Sequence, residues 1–284
     1  MPKKPKRKNL KPPGKCVWCF GGAVPGNPMS REHLWSDWMD KAKLVPTGGE
    51  YMEVRQILKR DSGDRVNTFE RNRQGSSAKK RIRVVCRCCN GGWMGDLETE
   101  VKPFLPPLIK GARVTLTAPM RRIISEWIVM KVMTFEHNPF PDMPADPIFD
   151  QAARDAFRQA RTIPPGFRIW IASQRGEKWS GGFHRHTSGL GITHALPPPP
   201  PPDPPTINVQ TVTWGISRLL IYVNATTNMG VYPFLELGAG PLLRLWPLGD
   251  DIVWPPRYYV EDGFMDDLAI SIENLIMGPN VIRQ

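Results

Sequence analysis

Apolar residues recur at helical spacing between residues 120 and 136. Ile123, Ile124, Trp127, Ile128, Met130, Lys131 and Met133 place one face there, the strongest helix signal in the chain. Residues 148–161 form a second amphipathic helix, and residues 91–101 read as a short one. A further short helix is expected from about His33, carrying Leu34, Trp35, Trp38 and Met39, with Ser30 able to cap it. A last helix is expected near 266–277. The run 79–85 alternates near its end and reads as a strand. Residues 167–173, 181–187 and 207–224 are rich in β-branched and aromatic residues with frequent glycine, which predicts strands. Between 43 and 77 the pattern is weak and turn-rich, studded with Arg55, Lys59, Arg60, Arg65, Arg71 and Arg73.

The predicted class is α+β: a small N-terminal module, then helices, then mainly antiparallel strands. Pro103, Pro106 and Pro107 mark the best boundary, at 102–107. The expected units are a disordered basic tail (1–15), a module (16–102) and a C-terminal α+β region (103–284). Residues 197–205 are nearly all proline and favour an extended polyproline conformation. They form either a linker or a stiff loop between strands; the strand signal on both sides favours the loop.

The chain has 284 residues, 40% hydrophobic and 23% charged, enough to build a core and too apolar for a wholly disordered chain. Its formal net charge of +11 favours a polyanionic partner, because cations displace condensed counterions from phosphates. Lys3, Lys4, Lys6, Arg7, Lys8, Lys11 and Lys15 supply most of that excess. This tail reads as a solubilising segment, as an arm on nucleic acid, or in its first residues as a nuclear import signal. No apolar run approaches the ~18 residues of a membrane span. The N-terminal cations are not followed by the apolar core of a secretory signal. A soluble protein of a reducing compartment is expected, so the five cysteines read as metal ligands or free thiols before disulfides.

Cys16-x-x-Cys19 and Cys86-x-x-Cys89 are two metal-ligand pairs. Each tight turn offers two thiolates, and together they complete a tetrahedral structural zinc site. Cys88 is the competing thiol, but only Cys86 with Cys89 keeps the usual spacing. Between the pairs stands Ser30-Arg31-Glu32-His33-Leu34-Trp35. Directly after them comes Asn90-Gly91-Gly92-Trp93-Met94, followed by Leu97-Glu98.

A CxxC, an acid–His dipeptide, and a second CxxC followed at once by His or Asn resemble the HNH endonucleases, in a branch common in bacteria and their phages. The resemblance covers about residues 16–100. It implies a ββα-metal fold, with His33 as the general base that activates water against phosphorus. It implies Glu32 and Asn90 as ligands of a catalytic divalent ion, Mg²⁺ or Mn²⁺. Two departures stand out: the family's middle Asn has no clear counterpart here, and the last ligand is Asn rather than His. Arg31, Lys79, Lys80, Arg81 and Arg83 flank the site and are the phosphate-contact candidates. Glu98 reads as a solvent-exposed helix acid or an added metal contact. His184 and His186 share a strand face and read as surface histidines.

The resulting expectation is a metal-dependent endonuclease acting on double-stranded DNA, with a protein partner accommodated by the C-terminal region or the proline tract. It implies the cytoplasm of a bacterial or phage-infected cell, or a eukaryotic nucleus. The alternative is a zinc-stabilised nucleic-acid-binding protein that has lost cleavage.

Overall fold

The structure, a computed structural model, describes residues 14–21, 26–46, 50–60, 64–74, 77–138, 147–180, 184–189, 208–229, 237 and 240–270; in 50–60, 64–74 and 184–189 it describes the backbone alone. The proline tract and residues 1–13 of the basic tail lie outside the described residues.

In chain order the elements are β1 (Met29–His33), α1 (Asp37–Lys41), β2 (Glu50–Arg60), β3 (Asp64–Gln74), β4 (Arg81–Cys86), α2 (Arg87–Gly91), α3 (Trp93–Val101) and α4 (Leu105–Lys110). Then follow β5 (Val114–Leu116), α5 (Ala118–Phe135), α6 (Gln151–Ala160), β6 (Phe167–Ser173), α7 (Glu177–Ser180) and β7 (His184–Gly189). β8 (Val209–Ile216), β9 (Leu219–Thr226), β10 (Leu243–Trp246), β11 (Ile252–Trp254) and α8 (Asp262–Ala269) complete them. The class is α+β. A seven-stranded sheet runs in the order β10-β6-β9-β8-β7-β2-β3, and β1-β4 and β11-β5 form separate antiparallel pairs. Pairing in the large sheet is antiparallel except between β2 and β7, which is parallel.

β8 and β9 are buried along their whole length, with Gln210, Thr211, Thr213, Asn224 and Thr226 buried among their apolar residues. On one face Val212, Trp214, Ile221 and Val223 join the main core with α5. On the other, Leu220 and Tyr222 pack with Trp170, Val260, Met265 and Leu268. α5 lies in the main core and is buried on almost every side from Ile124 onward. Each fully buried Ile, Phe or Met there contributes about 1.5–3 kcal/mol. At Gly215 a Cβ would sit 2.5 Å from the Trp179 carbonyl oxygen, so only glycine lets α7 approach β8.

The helices expected at 120–136, 148–161 and 91–101 are α5, α6 and α3. Asp150 caps α6 by accepting from the Ala153 N–H at 2.8 Å. The strand expected at 167–173 is β6, and that at 181–187 is met by β7, which runs on to Gly189; residues 181–183 lie outside the described residues. The expected strand 207–224 is two, β8 and β9, turning at Ser217, whose φ is 47°. The last helix begins earlier than expected, at Asp262. β7 and β8 are antiparallel neighbours, so the chain carrying the proline tract joins adjacent strands.

Two local expectations are corrected. Residues 29–33 form a strand, and the helix starts at Asp37. Ser30 does not cap it, because its hydroxyl accepts from Asn90 Nδ2 at 2.8 Å while β1 pairs with β4. The turn-rich stretch 43–77 contains two eleven-residue strands. Their polar sequence hides them, since their main chains satisfy each other along an edge of the sheet. Near the expected boundary, Pro106 and Pro107 sit in the first turn of α4, where no amide hydrogen is needed, and one hydrophobic cluster runs from Cys16 to Trp254.

Candidate functional site

Two turns bring four thiols together. The Cys16 N–H donates to the Gly21 carbonyl at 2.9 Å, closing the first turn, and the Val17 N–H donates to the Val84 carbonyl at 3.0 Å, tying that turn to β4. Cys86 ends β4 and caps α2, its sulfur accepting from the Cys89 N–H at 3.4 Å. The ligand atoms of Cys16, Cys19, Cys86 and Cys89 all lie within 4.8 Å of one another. Zn–S bonds of ~2.3 Å in a tetrahedron require sulfurs roughly 3.8 Å apart. Cys19 and Cys86 stand 3.7 Å apart, so the set fits a zinc ion. Cys88 is exposed and its N–H donates to Asn27 Oδ1, away from the cluster. A hydrogen bond from Cys89 draws the Cys16 thiol down to about 4, and the same bond raises Cys89. Burial raises Cys19. The cluster therefore already favours a thiolate, the form that binds metal.

β1 runs from this knuckle along β4, and alternation sorts its residues. Glu32 pairs across from Ile82 and faces inward, 3% exposed. His33 pairs across from Arg81 and is half-buried on the outer side. Arg31, Arg81 and Arg83 are exposed on this hairpin, and Arg83 Nε also donates to the Met29 carbonyl at 3.3 Å. Lys79 is exposed and pairs with Asp40 at 2.5 Å; Lys80 is half-buried. The hairpin thus gathers His33 with Arg31, Arg81 and Arg83, with Lys79 and Lys80 at its entry.

His33 Nε2 has no hydrogen-bond partner and lies 3.6 Å from Asp37 Oδ1. Burial lowers its pKa, helped by the charges of Arg81 and Lys131, and outweighs the opposing carboxylates of Asp37 and Glu98. That direction favours the neutral ring at pH 7, with Nε2 itself buried beside Asp37.

Sequence reading missed Lys131, which sat unnoticed within the apolar face of α5. Its ammonium is fully buried and donates to Glu32 Oε1, to Glu98 Oε1 at 2.8 Å and to the His33 carbonyl at 2.9 Å. Ser36 Oγ also donates to Glu98 Oε1, at 2.5 Å. Burial raises the Glu32 carboxyl against the pull of Lys131. For Glu98, burial is overcome by Lys131 and Ser36, and its pKa falls. Burial would discharge Lys131, but the two carboxyls hold it protonated. A lysine in an apolar helical run was the available signal, since such a cation needs a buried anion.

The divalent-ion pair implied by the resemblance does not fit this arrangement. Glu32 is occupied by an ammonium, and the Asn90 amide donates to Ser30 Oγ and the Arg31 carbonyl, at 2.8 and 3.3 Å. Glu98 is engaged inside rather than solvated. Among the described residues, the four cysteines are the group of His, Cys, Asp or Glu ligands that lies close enough to share an ion. The side chains of His184 and His186 lie outside what is described. No described helix is long and apolar enough to cross a membrane. No protein-family model, curated protein or solved structure matches the chain.

Proposed function

We propose that this chain is an HNH-type endonuclease that hydrolyses phosphodiester bonds in nucleic acid, with double-stranded DNA as substrate. One observation carries the reading. An antiparallel hairpin and the helices after it, joined by a four-cysteine knuckle, hold a neutral His33, its Nε2 buried and without a hydrogen-bond partner, beside exposed arginines. A ββα-metal module is the fold this reading implies. His33 accepts a proton from water as the water oxygen bonds to phosphorus; the bond to the leaving 3′-oxygen breaks, and that oxygen takes a proton from solvent. Arg81, across from His33, neutralises the non-bridging oxygens. Arg31 and Arg83, with Lys79 and Lys80, position the backbone. Zinc at the four cysteines is structural, with no coordination position left for substrate.

The Glu32–Lys131 pair favours a second reading, a zinc-stapled nucleic-acid-binding protein without cleavage. Supercoiled plasmid separates the two. The zinc-loaded protein, assayed with Mg²⁺, with Mn²⁺ and with neither, is expected to nick or linearise it. Salt-sensitive binding without cutting under all three conditions sinks the endonuclease and leaves the binder.

A further inference from the structure

We propose that the β2–β3 ribbon is a second duplex-DNA surface, which grips phosphates on the same side of the sheet as His33. The proposal rests on the nucleic-acid reading above and adds a surface to it. β2 and β3 pair antiparallel without a slip from Glu50↔Gln74 to Arg60↔Asp64. Directly paired residues share a face, and successive residues alternate between faces. Arg55 and Lys59 on β2 therefore share a face with Arg65, Arg71 and Arg73 on β3; Glu53 is the acid among them, and Tyr51, Ile57, Asn67 and Phe69 complete the face. The opposite face carries Glu50, Asp64 and Glu70 against Arg60, together with apolar Val54, Leu58 and Val66. The register places five of the six cations of this strand pair on one side.

Pairing across the sheet identifies that side. Glu53 pairs with His184 and Arg55 with His186; these pair in turn with Trp214 and Val212 on β8. Trp214 and Val212 belong to the core face that carries α5. Trp35, two residues beyond His33, contacts Trp214 there, with ring centroids 6.2 Å apart. The cationic face thus continues the face against which the hairpin of His33 and Arg81 is built. β3 is the terminal strand, and β7 covers β2 only from Glu53 to Leu58. Eleven residues at roughly 3.4 Å each span about 37 Å, close to the roughly 34–36 Å of one duplex turn. Charge complementarity selects the occupant: cations spread along a strand pair of this length match a phosphate backbone.

The test is the salt dependence of binding to a short DNA duplex, using the full zinc-loaded chain. Each phosphate-engaged cation contributes about 0.9 to the slope of log K against log salt. Arg55→Gln, Arg71→Gln and Arg73→Gln combined are expected to lower that slope by roughly 2 to 3. Arg60→Gln, on the other face, is expected to leave it unchanged. Lysine at the same three positions is expected to keep the wild-type slope, which controls for folding along with zinc content. An unchanged slope in the triple variant, while Arg81→Gln lowers it, overturns the ribbon and leaves the hairpin site standing. Equal effects of Arg60→Gln and single changes on the cationic face also overturn it. Failure of the wild type to bind duplex DNA overturns both the ribbon and the reading beneath it.

Discussion

Lys131 on α5 donates to Glu98 on α3 across 2.8 Å, and the same ammonium holds Glu32 on β1. One cation thus joins the hairpin, the helix behind it and the central helix. Removing one side of a buried ion pair typically costs about 3–5 kcal/mol. Lys131→Met is expected to lose that much in denaturant unfolding of the zinc-loaded protein. Adding Glu32→Gln and Glu98→Gln is expected to recover most of the loss. A single variant within about 0.5 kcal/mol of wild type would contradict this role.

Metal analysis is expected to find one zinc per chain. Cys86→Ser removes a ligand that also caps α2, so the variant is expected to lose zinc and become protease-sensitive around the knuckle. Cys88→Ser is expected to retain both zinc and stability. Equal zinc loss in the two variants would mean that the ligand set is wrong.

Glu136 is buried between Arg154, at 2.8 Å, and Gln210, at 2.7 Å. Burial lifts its carboxyl from 4.5 to about 7. Between those values the folded chain holds a proton that the unfolded chain has released. Its contribution to stability is therefore full below pH 4.5 and declines as pH rises through 7. Glu136→Gln removes this titration. The difference in melting temperature, wild type minus variant, is expected to fall across that window; a flat difference would rule the linkage out.

The sequence disclosed what depends on local pattern. The cysteine pairs named their own partners, and the structure places Cys88 outside the set. α5, α6 and β6 were legible because a buried face imposes its period on the residues. Long-range pairing was not legible. On the side of β2 and β3 that holds most of their cations, Tyr51, Ile57 and Phe69 stand among charged residues, so no clean apolar alternation marks the strands. Ser30 looked like a helix cap because a serine before an apolar run is the usual signal, yet its hydroxyl serves Asn90. Glu32 and His33 looked like one catalytic dipeptide, but the alternation of β1 sends them to opposite faces. Lys131 was visible only as a member of an apolar face; its anions lie far away in sequence.

His33 is held below the ordinary histidine value by burial and by Arg81, while Asp37 opposes both. Base catalysis by this ring is expected to give an acid limb in the cleavage rate below pH ~6.5. Asp37→Asn is expected to move that limb to lower pH, and Arg81→Gln to higher pH at a reduced rate. A limb that ignores both substitutions belongs to another group.

The most direct measurement is cleavage of supercoiled plasmid by wild type beside His33→Ala, once both proteins are shown to retain zinc. The account predicts nicking or linearisation by wild type and none by the variant. Equal cutting by both would contradict His33 as the base, and no cutting by zinc-loaded wild type would contradict the endonuclease itself.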